Sequence, residues 1–257
     1  MIIREVEVKS ALSKSGLKEI DYSLNPYNNC RFSCIYCYAQ RYVSDKWGEV
    51  ITIKRNIVDV LKREVYKYRR GVVGVSTIVD PYQPVEGLYK LTRKSLEVLL
   101  SHGFRVSIQT KSPMVVRDLD LLSRYSDKVD VGLTITTLDK VVSRYIEPLA
   151  PPPKARAESI KKLSRSVRTW IFLGPIIKGV NDSGFEEIVK LASETSSFIV
   201  YDKYNNYRGL PNFDCNQSWW EEKENEIKDL CERYGVHCHS EREDWIYERQ
   251  RRYKTLF

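Results

Sequence analysis

Along most of the chain, short runs of apolar and β-branched residues alternate with longer stretches whose apolar positions recur at helical spacing. After a strand-like start, the short runs predict strands near 20–24 and at V-V-G-V-S-T (72–77), F-R-V-S-I-Q (104–109), V-D-V-G-L-T-I (129–135), V-R-T-W-I-F-L (167–173) and S-F-I-V-Y (197–201). Helices are predicted near 55–69, 90–102, 113–124, 139–145, 154–166, 183–195 and 218–234. Strands that alternate with helices in this way form repeated βα units on a parallel sheet. Six strands predict an α/β fold, a partial (β/α)6 TIM-type barrel whose active site lies at the C-terminal ends of the strands.

Several boundaries have a local cause. Ser112 before Pro113 offers an N-cap followed by a ring already set at the helical φ, and Ser218 with Glu221 has capping-box spacing. The P-L-A-P-P-P run (148–153) cannot continue a helix and reads as a rigid crossing loop. With 257 residues, 42% hydrophobic and 30% charged, the chain predicts one domain over 1–257, with a core barrel about 20–200 and a C-terminal extension about 202–257. No stretch reaches the roughly 18 apolar residues of a membrane span, and the N-terminus lacks an uninterrupted apolar signal core. The expected location is the cytoplasm.

The unusual residues gather where strands end. They are C-R-F-S-C-I-Y-C (30–37), D-P-Y-Q-P (80–84), T-K-S (110–112), T-I-T-T (134–137), G-P-I-I-K-G-V-N-D (174–182) and Y-D-K-Y-N-N-Y-R-G (201–209). Cys30, Cys34 and Cys37 are the most restrictive, because three thiolates can hold three irons of a four-iron four-sulfur cluster and leave the fourth iron open. The usual chelator for this spacing is the amino and carboxylate pair of S-adenosylmethionine. A structural zinc site is the alternative, but it wants four ligands, and His102, His237 and His239 all lie far downstream. With no export signal, six cysteines predict reduced thiols rather than disulfides.

With these motifs in this order, the chain resembles the radical S-adenosylmethionine enzymes and, among them, the spore photoproduct lyase-like group. The resemblance rests on N-P-Y-N-N-C-R-F-S-C-I-Y-C-Y-A (25–39), D-P-Y-Q-P-V-E (80–86), T-K-S with R-D (110–118), I-E-P-L-A-P (146–151) and P-I-I-K-G-V-N-D (175–182), roughly residues 20 to 200. It implies a partial TIM barrel with one four-iron four-sulfur cluster on Cys30, Cys34 and Cys37. It also implies an electron donor of ferredoxin or flavodoxin type, and cleavage of S-adenosylmethionine to a 5′-deoxyadenosyl radical that abstracts hydrogen from a substrate. Tyr36 is placed to pack beside the adenine, Lys111 to meet the carboxylate, Thr134 and Thr136 to add hydroxyl hydrogen bonds, Asp80 to bind the ribose, and Asn181 with Gly179 to approach the adenine. Each has a plainer role as well: Tyr36 as a packing aromatic, Lys111 as a surface lysine, one of Thr134 and Thr136 as facing a helix, Asp80 as the cap of the D-P-Y turn, and Asn181 as part of an ordinary turn.

One departure bears on the reaction. The namesake lyase carries a hydrogen-donating cysteine near the end of the second strand, where this chain has Ser76 or Thr77, and no cysteine occurs between Cys37 and Cys215. Tyr36 and Tyr38, which correspond to the lyase's radical-relay tyrosines, are present. The resemblance therefore does not imply the lyase's own reaction.

A net charge of +8 suits a polyanionic partner such as nucleic acid, and equally a surface adapted to solubility or a high-temperature host. The basic residues group at Lys67, Arg69 and Arg70, at Lys161, Lys162, Arg165 and Arg168, and at Arg249, Arg251, Arg252 and Lys254. The aromatic segment 201–213, followed by Trp219 and Trp220, is the expected substrate contact, with lid packing over the barrel mouth as the plainer reading. A peptide or small metabolite is the alternative substrate, and a non-enzymatic zinc or iron-sulfur nucleic-acid module the alternative class. Cys231 shares a helical apolar stripe with Trp220, Ile227 and Tyr234 and reads as core, and Cys238 as a buried thiol; Cys215, Cys231 and Cys238 with His237 and His239 also leave a second metal site open.

Overall fold

The computed structural model describes residues 1–240, so the basic group Arg249, Arg251, Arg252 and Lys254 lies outside the described residues. The chain begins with β1 (Ile2–Val6), β2 (Leu12–Lys14), β3 (Tyr22–Leu24) and β4 (Tyr27–Asn28). A loop with a 3-10 turn at Tyr38–Tyr42 then leads into β5 (Val50–Lys54) and α1 (Ile57–Glu64). Next come β6 (Val72–Val75), α2 (Glu86–Tyr89), α3 (Leu91–Ser101) and β7 (Arg105–Thr110). A 3-10 turn (Pro113–Asp118) runs into α4 (Leu119–Arg124), then β8 (Val129–Thr134), α5 (Lys140–Ile146), α6 (Pro153–Leu163) and β9 (Arg168–Ile176). The chain continues through α7 (Phe185–Glu194), β10 (Phe198–Lys203), α8 (Gln217–Tyr234) and β11 (Cys238–Ser240).

The main sheet has eight strands in the order β11-β10-β9-β8-β7-β6-β3-β2. Every pairing in it is parallel except that of β2 with β3. The six predicted strands are β3 and β6 to β10. The predicted count falls one short of the parallel set, because β11, three residues ending in His239 and Ser240, is too short and polar to announce itself, yet it lies in register with Ile199–Tyr201 of β10. The strands at the two ends of this order, β11 and β2, do not pair with each other, so the barrel is partial. A second sheet, β1-β5-β4, stands beside it and carries the segment that enters the cysteine loop.

Alternation along the strands sorts the two faces. On β7, Val106 and Ile108 are buried against the helical layer, while Ser107 and Gln109 face a cavity inside the barrel. Gly132 of β8 is needed here, since a Cβ would lie 2.3 Å from the Trp170 ring of the next strand. Ser112 caps its turn as predicted, accepting a bond from Met114 N. The start of α8 differs from expectation: Asn216, two residues before Ser218, is the cap and accepts from Trp219 N. Arg117 and Asp118 belong to the scaffold, since Arg117 pairs with buried Glu86 at 2.8 Å and Asp118 accepts from both Arg117 and Arg93.

The expectation of reduced thiols throughout is corrected at the C-terminal end, where Cys231 and Cys238 form a disulfide. Gly235, at φ 64°, ends α8 in the left-handed region, and Val236 N bonds back to Cys231 O. That turn brings the two Cα atoms to 6.2 Å, within reach of a bridge. Cys231 is buried as the stripe predicted. Cys215 stands apart and accepts a bond from Lys178 N at 3.5 Å, so the structure does not assemble the three into one site.

Candidate active site

The cysteine loop is held by short polar residues that the chain places around it. Asn29 is buried at φ 64°, and its Oδ1 accepts from both Cys30 N and Gly48 N at 2.8 Å. Gln83, from the D-P-Y-Q-P turn, donates to Asn29 O at 3.0 Å and accepts from Arg31 N at 2.9 Å. Turns within the loop are closed by Ser33 N to Cys30 O and Cys37 N to Cys34 O. Gly48 is required beside it, because its φ is +76° and a Cβ would meet Ser33 Oγ at 1.7 Å.

All three thiols line a cavity of about 620 Å³ at the C-terminal ends of the strands. Burial pushes the Cys30 thiol well up, with the Asp80 charge adding to it, and pushes Cys34 up to about 12 against the opposing pull of Lys111. Burial raises Cys37 as well. Metal binding to such thiols releases their protons. Among the described residues, no group of three or more His, Cys, Asp or Glu side chains is gathered closely enough for a single ion. The three thiols line one cavity, and thiolates are the donor type that an iron-sulfur cluster takes.

The neighbouring wall is a buried charge network. Asp80 Oδ1 accepts from Thr110 Oγ1 at 2.6 Å and from Tyr82 N at 2.9 Å, while Oδ2 accepts from Lys111 N at 2.7 Å. Burial raises its carboxyl even though these donors oppose the shift. Asp80 thus caps its own turn and ties it to the end of β7. The Lys111 ammonium lies 5.6 Å over the Tyr36 ring and 3.8 Å from Glu147. Burial disfavours that charge, but Cys34 and Glu147 outweigh it and hold Lys111 above the usual lysine range. Glu147 is fully buried, accepts the Tyr36 hydroxyl and meets Arg156 at 2.5 Å. Its burial would raise the carboxyl, yet Arg156 and Lys111 together pull it below the ordinary value.

Further round the cavity stand Ser76, Ser107, Gln109, Thr134, Phe172 and Asp202, with Gln109 donating to Thr134 Oγ1 at 3.3 Å. The mouth is aromatic and basic. Tyr38 donates to Thr77 O and packs near Tyr42 and Tyr207, and Arg41 lies 5.3 Å over the Tyr207 ring. Of the predicted site residues, Cys30, Cys34, Cys37, Tyr36, Tyr38, Asp80, Lys111 and Thr134 line this one space. Thr136 and Asn181 are not on its wall. Both are buried, and the Asn181 side chain is spent on the loop, donating to Thr136 O and Pro175 O and accepting from Ile177 N. Of the aromatic segment, Tyr204 and Tyr207 reach the cavity, whereas Trp219 and Trp220 are buried. The basic groups Lys67 to Arg70 and Lys161 to Arg168 lie before β6 and at the start of β9, at the strand ends opposite the mouth. Asn29, Gln83 and Glu147 fall inside the motif blocks quoted above without a role assigned to them, and Arg156 lies in an ordinary helical pattern outside those blocks.

The model of the Radical SAM superfamily matches residues 24–192, well over half of the chain. An uncharacterised protein of Methanocaldococcus jannaschii is 30% identical over 208 residues, covering 79% of this chain and 78% of its own. An uncharacterised protein of Acidianus two-tailed virus is 31% identical over 253 residues, covering 89% of this chain and 83% of its own. In fold the chain is similar to spore photoproduct lyase complexed with dinucleoside spore photoproduct, with a TM-score of 0.70 at 13% identity over 93% of this chain and 81% of that one. It is also similar to Streptococcus suis SuiB bound to S-adenosylmethionine, with a TM-score of 0.61 at 11% identity over 84% of this chain and 48% of that one. No helix among the described residues is long and apolar enough to cross a membrane.

Proposed function

The chain belongs to the radical SAM superfamily, and on that premise we propose that Cys30, Cys34 and Cys37 hold a four-iron four-sulfur cluster and that the adjoining cavity takes S-adenosylmethionine and part of a substrate. When bound and reduced, such a cluster supplies the electron that cleaves S-adenosylmethionine to methionine and a 5′-deoxyadenosyl radical. The observation that carries this reading is one chamber in which three thiols face a largely buried lysine.

The chain's own residues do the binding and shielding. Lys111 offers its ammonium to the cofactor's carboxylate from beside Tyr36, whose ring closes that side of the chamber. Thr134 presents a hydroxyl, and Asp80, with three bonds already accepted, keeps one of about four carboxylate acceptor positions for a ribose hydroxyl. Tyr38, with its hydroxyl held by Thr77 O, stands between the cysteine loop and the mouth, where a relay residue would be placed. Reduction comes from a ferredoxin- or flavodoxin-type donor in the cytoplasm.

Anaerobic reconstitution followed by dithionite and S-adenosylmethionine is expected to yield 5′-deoxyadenosine, with iron near four per chain. A colourless, zinc-loaded protein that produces none would refute the assignment.

For the substrate, single-stranded nucleic acid is favoured by the mouth rather than by net charge. Tyr38, Tyr42 and Tyr207 offer ring faces, and Arg41 and Lys203 offer cations beside them. A labelled single-stranded oligonucleotide is expected to bind at low ionic strength and to weaken steadily with salt. The R41A/Y207A double variant is expected to bind it at least about fivefold more weakly, given roughly 1 to 3 kcal/mol per stacked base. No binding at low salt, or equal binding by the double variant, removes nucleic acid in favour of a peptide or small metabolite.

A further inference from the structure

Between α5 and α6 the chain makes a strap across the cysteine loop. Ile35 N, between Cys34 and Cys37, bonds to Ile146 O at 3.0 Å, and Leu149 N bonds to Phe32 O, between Cys30 and Cys34, at 3.3 Å. Glu147 lies between these two anchors and is 1% exposed. Its carboxylate reaches three other parts of the chamber. Through the Tyr36 hydroxyl it holds a side chain of the cysteine loop itself. Its Oε1 stands 3.8 Å from Lys111 at the end of β7. Its Oε2 meets Arg156, which in turn donates to Thr134 O at 3.1 Å at the end of β8.

Two carboxylates face the cations of this pocket, Glu147 from the strap and Asp80 from the D-P-Y-Q-P turn. Glu147 supplies one negative charge to two cations, and the shorter contact, 2.5 Å to Arg156, is the one that balances it. Lys111, at 3.8 Å, is held by attraction at longer range, and its ammonium stays in the chamber lining over the Tyr36 ring. A lysine has four rotatable carbons and no preferred direction of its own, so something must fix it to make it a receptor.

We infer that Glu147 is a positioning residue: it aims the Lys111 ammonium at the carboxylate of S-adenosylmethionine and locks Tyr36 beside it, so that cofactor affinity depends on a residue that does not touch the cofactor. This rests on the proposed cofactor role of the chamber. It also explains why a Pro-flanked loop residue is buried with its charge intact.

The test is S-adenosylmethionine binding to the reconstituted protein, measured by equilibrium dialysis and by the change that the cofactor produces in the electron paramagnetic resonance spectrum of the reduced cluster. E147D keeps the negative charge but shortens its reach, and is expected to weaken binding about tenfold, the scale of one charged hydrogen bond. Iron content and the spectrum without cofactor should stay as in the wild type. K111M is expected to weaken binding by at least as much, and the E147D/K111M double variant no further than K111M alone, because the effect of Glu147 passes through Lys111. Y36F leaves every charge in place and removes only the hydroxyl that orients the carboxylate, so it reads the same coupling if E147D does not fold; about a threefold loss is expected. Wild-type affinity in both E147D and Y36F overturns the inference, as do losses that multiply in the double variant. Failure of the wild-type protein itself to bind S-adenosylmethionine would instead count against the function proposed above.

Discussion

Replacing Cys34 with alanine is expected to leave a folded protein that holds little iron and forms no 5′-deoxyadenosine above background. The same is expected of C30A and C37A. The three thiols are free, they line one cavity, and they belong to a loop shaped by Asn29, Gln83 and the strap at 146–149 rather than by the thiols themselves. Removing one Sγ therefore leaves the loop's backbone bonds intact, and the loss of folding stability should stay near the low end for small core truncations, about 1 kcal/mol. Cluster chemistry has no such tolerance, since an iron that loses its thiolate must find another ligand, and all three histidines lie far along the chain from the loop. C215A is the control: Cys215 is partly exposed and sits against Lys178 N, so that variant should keep its iron and its activity. Iron analysis, the cluster's visible absorption and product chromatography on all four variants decide the matter. A C34A protein with wild-type iron and turnover would show that the triplet is not the ligand set.

The parts of this chain that were legible in its sequence are those in which a local rule and the global fold agree. V-D-V-G-L-T reads as a strand because a parallel strand covered on both faces needs an apolar run, and all six of its residues are buried. Lys111 could be singled out because it follows an alternating strand, and the end of a strand in a βα fold is where function collects. Elements stabilised by partners remote in sequence were not legible. The β1-β5-β4 sheet forms from segments separated by the whole cysteine loop, and β1 is mostly exposed, so no buried face marks it. Glu147 interacts with residues 36, 111 and 156, separations with no periodic signature, and Arg156 sits inside an ordinary helical pattern although it is fully buried. The disulfide is hidden for a different reason: an argument from compartment treats all six cysteines alike, whereas the Gly235 turn brings these two together.

Substituting Arg156 by methionine should have the largest effect on folding of any single change near the site, a loss of about 3–5 kcal/mol measured from guanidinium unfolding. The guanidinium is fully buried and has three engagements: Glu147 at 2.5 Å, Pro151 O at 2.8 Å and Thr134 O at 3.1 Å. Methionine fills much of the volume but returns none of these contacts, so two buried carbonyls lose a donor and Glu147 loses its nearer cation. Against a typical total stability of about 5–15 kcal/mol, that is a large fraction. The effect should also depend on pH, in a definite direction. In the wild type the Glu147 carboxyl lies below the ordinary value, so its ionisation contributes stability at pH above the normal glutamate range, and this contribution is lost as the pH falls through the folded value. In R156M the unbalanced carboxyl takes up a proton more readily, which relieves the buried charge. The stability difference between wild type and R156M is therefore expected to be greatest near neutral pH and to narrow on acidification below the ordinary glutamate range. Adding E147Q to R156M removes the charge outright, so the double variant should lose less than the sum of the two single losses. A loss below about 1 kcal/mol in R156M at neutral pH, or a difference that widens on acidification, would mean that the Glu147–Arg156 pair is not what holds the strap against the cysteine loop.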